Sequence, residues 1–214
     1  MSHNRIRLVL LDLGGVLVEL AGLPTPLQRL TDHLPPNEIW DRWLTSPAVK
    51  AFETGQIEPQ AFAARLIEEM GLCMGPDELL EELLLWPKGL FPGAFELVQS
   101  IPSQYERAIL SNCNALHWPR LVDDTGLGSI IGLRFASHLM GKVKPDKEAF
   151  QHVLDATRFA PSEILFLDDN RSNVDAATEL GINACQVRGI AETKQALVQA
   201  GILPAQHLEG PSCS

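Results

Sequence analysis

Cysteine is scarce and scattered. The four residues, Cys73, Cys113, Cys185 and Cys213, form no CxxC pair and do not alternate with histidine, which argues against a structural zinc site and against a disulfide framework. A reduced, intracellular chain is expected. Basic residues are also few: 17 Lys and Arg face 27 Asp and Glu, giving a formal charge of −10 and a pI near 5.0. A surface of that sign repels polyanions, so nucleic acid is not an expected partner. Long apolar runs are missing too. None approaches the roughly 18 uncharged residues of a membrane helix, and the first apolar run is cut at Asp12 with no small-residue cleavage site behind it. No membrane anchor and no signal peptide are expected, and the reading is a soluble, cytoplasmic protein, monomeric or a weak homodimer. Internal repeats and low-complexity tracts are absent.

What is present is an ordinary globular balance of 45% hydrophobic and 21% charged residues over 214 positions. A chain of this length buries roughly 70% of the surface its unfolded form exposes, so it folds without staples. Leu8-Val9-Leu10-Leu11 is short, continuously apolar and halted by Gly14-Gly15, the pattern of a strand buried on both faces. Comparable runs at 108–110, 164–167 and 184–187 each end in polar residues. Between them, apolar spacing near 3.6 predicts helices over 94–99, 147–156, 174–180 and 193–200. Strands alternating with helices imply a Rossmann-like parallel α/β sheet, whose ligands bind beyond the carboxyl ends of its strands.

Residues 19–89 break this rhythm. They show helical periodicity without a convincing strand and carry prolines at 24, 26, 35, 36, 47, 59, 76 and 87. Helices are expected over 37–44, 47–54, 59–70 and 76–85, three of them with proline at or near the first turn. The organisation read from this is a core of residues 1–18 and 90–214 with a small, all-helical cap, 19–89, inserted after the first strand. An insertion at that point lies over the sheet's active end. The tail, 206–214, is expected to fray.

Four polar constellations follow a strand or open a helix: Asp12-Leu13-Gly14-Gly15, Ser111-Asn112, Lys144-Pro145, and Asp168-Asp169-Asn170 with Asn173 one turn on. Singly they are weak. An Asp beside Gly-Gly caps turns, Ser-Asn after a strand is a common helix N-cap, and Lys-Pro before a helix says little. Asp168-Asp169 is harder to dismiss, because adjacent carboxylates repel unless a cation or donors lie beside them.

In this order and spacing the set resembles the haloacid dehalogenase-like superfamily of hydrolases, mostly Mg²⁺-dependent phosphatases, over nearly the whole chain. The chemistry is coherent. A carboxylate attacks phosphorus only when a cation brings it beside an anionic ester, and Asp12 and Asp169 are candidates to hold Mg²⁺ with the Gly14 carbonyl. Ser111, Asn112 and nearby backbone N–H groups are candidates to bind the phosphoryl oxygens. Lys144 neutralises charge between nucleophile and transferring group, with Asp168 and Asn173 in support. The implied reaction is a double displacement through an aspartyl-phosphate on Asp12.

One departure from the superfamily stands out. Most of its phosphatases carry a second Asp two positions after the nucleophile as general acid and base; here that position is Gly14. Loss of such a group costs about 10²–10⁴ in rate, so esters with good leaving groups are expected to be favoured, sugar 1-phosphates among them. The stretches Asp12-Leu13-Gly14-Gly15-Val16, Phe52-Glu53-Thr54-Gly55-Gln56-Ile57, Leu110-Ser111-Asn112-Cys113-Asn114-Ala115-Leu116-His117, Lys144-Pro145-Asp146 and Phe150-Gln151-His152-Val153-Leu154 resemble the bacterial α-D-glucose-1-phosphate phosphatase subgroup, which shares the glycine.

Three other enzymes and one non-enzyme compete. A 2-haloacid dehalogenase is not expected to carry both Asp168 and Asp169, a mutase needs the acid that Gly14 replaces, and a phosphonatase needs a cap lysine, for which Lys50 and Lys88 are formally available. A catalytically silent relative would bind metal without turnover. Specificity is expected in the cap, at Phe52 and Glu53, with Trp40, Trp43 and Trp86 as further candidates. His117 is assigned a structural role, and His138 and His152 none.

Overall fold

Alternate residues of the first apolar run enter opposite sides of a sheet. In the computed structural model, which describes residues 6–20, 22–30 and 32–205, Leu8–Leu11 forms β1. Val9 and Leu11 join one apolar cluster while Leu8 and Leu10 join another, so the strand is buried on both faces. The predicted frayed tail and Cys213 lie outside the described residues, as does the extreme N-terminus.

The chain continues through β2 (Val18–Leu20), α1 (Thr25–Gln28), α2 (Pro36–Thr45), α3 (Pro47–Glu53), α4 (Pro59–Met70), α5 (Pro76–Leu84) and β3 (Pro87–Leu90). Then come α6 (Ala94–Ser100), β4 (Glu106–Ser111), α7 (Leu127–Ile130), β5 (Leu133–Ala136), α8 (Ser137–Met140) and α9 (Lys147–Thr157). The last elements are β6 (Ile164–Asp168), α10 (Arg171–Glu179), β7 (Asn183–Gln186) and α11 (Gly189–Gln199). Five strands form one parallel sheet in the order β5-β4-β1-β6-β7. Helices α6 and α11 contribute Leu97, Val98 and Leu197 to one face, and α9 and α10 contribute Phe150, Val153 and Ala177 to the other. This is the expected Rossmann-like α/β architecture.

Leu11 of β1 lies opposite Ile109 of β4 and Leu167 of β6. The next residue, Asp12, therefore emerges beside Asp168, and its N–H donates to the Leu167 carbonyl at 2.9 Å. Ser111 closes β4 on the other side. Three strand ends thus deliver their polar residues to one edge because their apolar runs stop in register.

Between β2 and β3 the helices form their own core around Leu27, Ile39, Trp43, Phe52, Phe62, Leu66, Leu79 and Leu83. Proline begins α2, α3, α4 and α5, where its missing N–H has no helical partner to lose. Ser46 caps α3 by accepting from the Val49 N–H.

The insertion is not wholly helical. Strands β2 and β3 pair antiparallel, Val18 opposite Leu90, as a two-stranded ribbon at its base. Their three or four residues include Pro87, Lys88 and Gly89, too short and mixed for a strand signal. The ribbon is braced by the Lys88–Glu19 ion pair at 2.8 Å, and the Trp86 indole N–H donates to the Gly22 carbonyl at 3.0 Å just inside it. The helices are also tied to the segment that follows β4: His117 Nε2 donates to the Leu83 carbonyl at 2.7 Å, and Arg120 to the Leu84 carbonyl at 2.5 Å.

Candidate active site

The site grows from Lys144, a cation with almost no water contact. Its Nζ donates to Asp168 Oδ2 at 2.6 Å and lies 2.9 Å from Asp12 Oδ1. The second contact is an ion pair without hydrogen-bond alignment, so Asp12 Oδ1 remains a buried oxygen with no hydrogen bond. Burial by itself lowers the Lys144 pKa, but the two carboxylates outweigh it and raise it. Asp12 is pushed up to about 7 by burial, against the pull of the ammonium.

Asp168 is fully buried and fully satisfied. Besides Lys144, it accepts from the Asn170 N–H at 2.8 Å and from Asn173 Nδ2 at 3.0 and 3.1 Å. Asn173 is available because it sits on the first turn of α10, facing back to the strand end. Both residues thus hold Lys144 in place.

Asp169 turns the other way, half-exposed, with its pKa raised by burial and by Asp168. It lies so close to the Gly14-Gly15 turn that a Cβ on Gly15 would come 2.3 Å from its Oδ2. The Gln186 amide donates to the Asp169 carbonyl at 2.8 Å and fixes its backbone.

Asp12, Asp168 and Asp169 each bring a carboxylate oxygen within 4.8 Å of the others. Three carboxylates face one buried ammonium, with Arg188 acting on Asp169 from the cleft wall, so negative charge is in excess. That excess, the unbonded Asp12 oxygen and the all-oxygen donor set fit a hard divalent cation. Asp168 has its oxygens engaged, so Asp12 and Asp169 are the carboxylates free to hold it, with the backbone of Gly14 lining the same cleft.

The cleft has a volume of about 490 Å³ and runs between the strand ends and the helical insertion, a size suited to a small molecule. Ser111, 4% exposed, opens onto it beside Asp12 and Lys144. Asn112 is used differently from the expectation. Its carboxamide donates to the Lys144 carbonyl at 2.9 Å and accepts from the Lys144 N–H at 2.8 Å, so its side chain clamps the backbone of Lys144 at the edge of the cleft.

Phe52 also departs from the expectation. It is buried and stacks 4.3 Å from Phe62 inside the helical core, whereas Glu53, the next residue on the helix, reaches the cleft with Trp40, Trp43 and Trp86. Successive helical residues point about 100° apart, so one of the pair faces away. His117 is buried against Leu83 and Trp86, structural as expected. His138 accepts a comparable duty, its ring donating to the Cys113 carbonyl at 2.7 Å. Cys73, Cys113 and Cys185 are free thiols.

Sequence reasoning gave no site role to Gly15, Arg171 or Arg188, the last two lining the cleft. The Gly-Gly doublet was the available signal for Gly15; nothing local marks the arginines.

The profile of haloacid dehalogenase-like hydrolases matches residues 6–181. The chain is 22% identical to the D-ribitol-5-phosphate phosphatase of Bacteroides thetaiotaomicron, covering 90% of this chain and 97% of that one. It is 23% identical to the enolase-phosphatase E1 of a Shewanella strain, over 89% and 92% of the respective chains. Among solved structures, a HAD family enzyme of Bacteroides thetaiotaomicron in complex with magnesium and inorganic phosphate superposes with a TM-score of 0.71. The two are 22% identical, and the superposition covers 95% of this chain and 100% of that one.

Proposed function

Because the chain belongs to the haloacid dehalogenase-like hydrolases, we propose that it is a Mg²⁺-dependent phosphoric monoester hydrolase acting on a small phosphorylated metabolite. The observation that carries this reading is the buried Asp12–Lys144–Asp168 chain with Asp169 beside it. A site that concentrates carboxylates around a single lysine suits an anionic substrate only in company with a cation. That the relatives include two phosphatases, and a fold neighbour holding magnesium and phosphate, supports it.

Asp12 is the nucleophile in this reading. Its carboxylate attacks phosphorus, the ester oxygen departs, and water then releases phosphate from the aspartyl-phosphate. Ser111 donates its hydroxyl to a phosphoryl oxygen. Lys144 sits against Asp12 and offsets charge gathering on the transferring group. Asp168 and Asn173 keep that ammonium in place, and Asn112 clamps the backbone that carries it. Asp12, Asp169 and the Gly14 carbonyl would hold Mg²⁺, which when bound would supply charge neutralisation and orientation for the phosphoryl group. The helical insertion, residues 19–89, acts as the cap, with its three tryptophans and Glu53 facing the substrate.

The finer reading is a sugar 1-phosphate, as in the α-D-glucose-1-phosphate phosphatase subgroup. It rests on the absence of a side chain at Gly14, on the acidity of an anomeric leaving oxygen, and on indole faces suited to a sugar ring. A 2-haloacid dehalogenase has no use for the carboxylate excess.

The test is hydrolysis of p-nitrophenyl phosphate and α-glucose 1-phosphate with and without Mg²⁺, comparing wild type with Asp12→Asn. Turnover that needs metal and disappears in the variant is the expected result. Mg²⁺ binding without turnover on any ester would instead establish a silent relative.

A further inference from the structure

An alcohol leaves phosphorus as an alkoxide unless something protonates it, and the groups around Asp12 are nearly all engaged. Asp168 is bound by Lys144, Asn170 and Asn173. Lys144 is locked between two carboxylates, and the Asn112 amide is spent on the Lys144 backbone. Position 14 offers nothing, and a Cβ there would already come 3.1 Å from Leu20 Cδ1.

Glu53 is different. It ends α3 and lines the cleft with Asp12, Ser111 and Lys144, and it is the sole ionisable residue of the insertion lining the cleft that holds Asp12, among the described residues. It is half-buried, yet it makes no hydrogen bond or ion pair with any described residue. Its place is fixed by the next turn, where Gly55, at φ +68°, packs so tightly on the core that a Cβ would fall 2.3 Å from the His138 carbonyl. Attack and departure at phosphorus are roughly in line. A leaving oxygen expelled by Asp12 therefore faces away from the strand ends, toward the cap.

We infer that Glu53 is the general acid and base of the reaction, a role delivered by the cap rather than by the strand that carries the nucleophile. The inference rests on the phosphomonoesterase reading of Asp12, and not on the sugar. In the first displacement the P–O bond to the alcohol breaks as the Asp12–phosphorus bond forms, and the Glu53 carboxyl gives its proton to the departing oxygen. In the second, water adds to phosphorus and yields a proton to the Glu53 carboxylate as the acyl-phosphate bond breaks. Alcohol and hydrogen phosphate leave, and both carboxyl groups return to their starting forms.

Burial lifts Glu53 to about 7, against the pull of the Lys144 ammonium. Both protonation states are then populated near neutrality, as an acid that must also serve as base requires. The other charges around it are Lys50 on its own helix, Asp12 and Asp169 from the strand ends, Asp146 before α9, and Arg171 and Arg188 along the cleft.

The experiment compares wild type, Glu53→Gln and Glu53→Asp on phosphate esters graded from p-nitrophenyl to primary alkyl. For Glu53→Gln, kcat/KM on the alkyl esters should fall by about 10²–10⁴-fold while kcat/KM on p-nitrophenyl phosphate changes little, since nitrophenolate leaves unaided. A burst of p-nitrophenol should then precede a slow steady state, because water has lost its base. Glu53→Asp should recover part of both and, should the Gln variant not fold, carries the leaving-group comparison itself. An equal loss on every ester, or a raised KM with kcat unchanged, would overturn the proposal in favour of substrate contact or scaffolding. Those outcomes leave the Asp12 chemistry standing; absence of Mg²⁺-dependent hydrolysis in wild type would overturn both.

Discussion

Gly15 and Asp169 meet so closely that a Cβ on the glycine would lie 2.3 Å from the carboxylate Oδ2. Gly15 is also at φ +69°, a conformation that L side chains adopt only under strain. Gly15→Ala should push Asp169 out of reach of Asp12. Apparent Mg²⁺ affinity should weaken by about 10–100-fold, the range seen when groups that orient metal ligands are lost, while saturating metal restores much of the rate. A Mg²⁺ titration of activity measures this, and an unchanged midpoint would refute the role given to Asp169.

Lys144 holds two carboxylates that otherwise repel. Lys144→Met should destabilise the fold by about 3–5 kcal/mol, as breaking a buried ion pair does, and abolish turnover. Adding Asp168→Asn removes one of the orphaned charges. The double variant should therefore regain stability in denaturant unfolding without regaining activity, which separates the two duties of the lysine.

The strand ends were readable because each apolar run stops at its polar residue. Leu8 to Leu11, Ile109 and Leu110, and Leu165 to Leu167 are buried on both sides of a parallel sheet, and such strands announce themselves by continuous apolarity. Strand β5 gave no such signal because it is an edge, with Leu133 half-buried and Arg134 exposed. Phe52 and Glu53 were placed on the right helix with the wrong phase between them. Helical periodicity across α3 was blurred by Ala48, Val49 and Phe52 all facing inward over only seven residues. The double use of Asn112 is a tertiary fact: its partner, Lys144, is 32 positions away.

His117 joins the core to the cap, and burial lowers its pKa. Between the unfolded value of about 6.5 and the lower folded value, the unfolded chain holds more protons. Stability is therefore complete above that window and falls as pH drops through it. His138, also lowered by burial, adds to the same slope. His117→Gln keeps a donor for the Leu83 carbonyl and should flatten the loss of stability between neutral and mildly acidic pH. Thermal unfolding across that range reads the difference; identical slopes would contradict the assignment.

Gly55 sets the cap against the core. Gly55→Ala should lift the end of α3 off His138 and with it Glu53, lowering kcat on alkyl phosphates more than on p-nitrophenyl phosphate. Rates on the two esters, taken with a thermal scan, check this, and a uniform loss would mean that only the fold had suffered.

The most direct measurement is to mix the protein and Mg²⁺ briefly with phosphate-labelled p-nitrophenyl phosphate, quench in acid, and map the label. Label should appear on the peptide carrying Asp12, be released by hydroxylamine as an acyl-phosphate is, and vanish in Asp12→Asn together with turnover. Hydrolysis that persists in Asp12→Asn, or label carried by another residue, would contradict an aspartyl-phosphate on Asp12 and with it the assignment of the site.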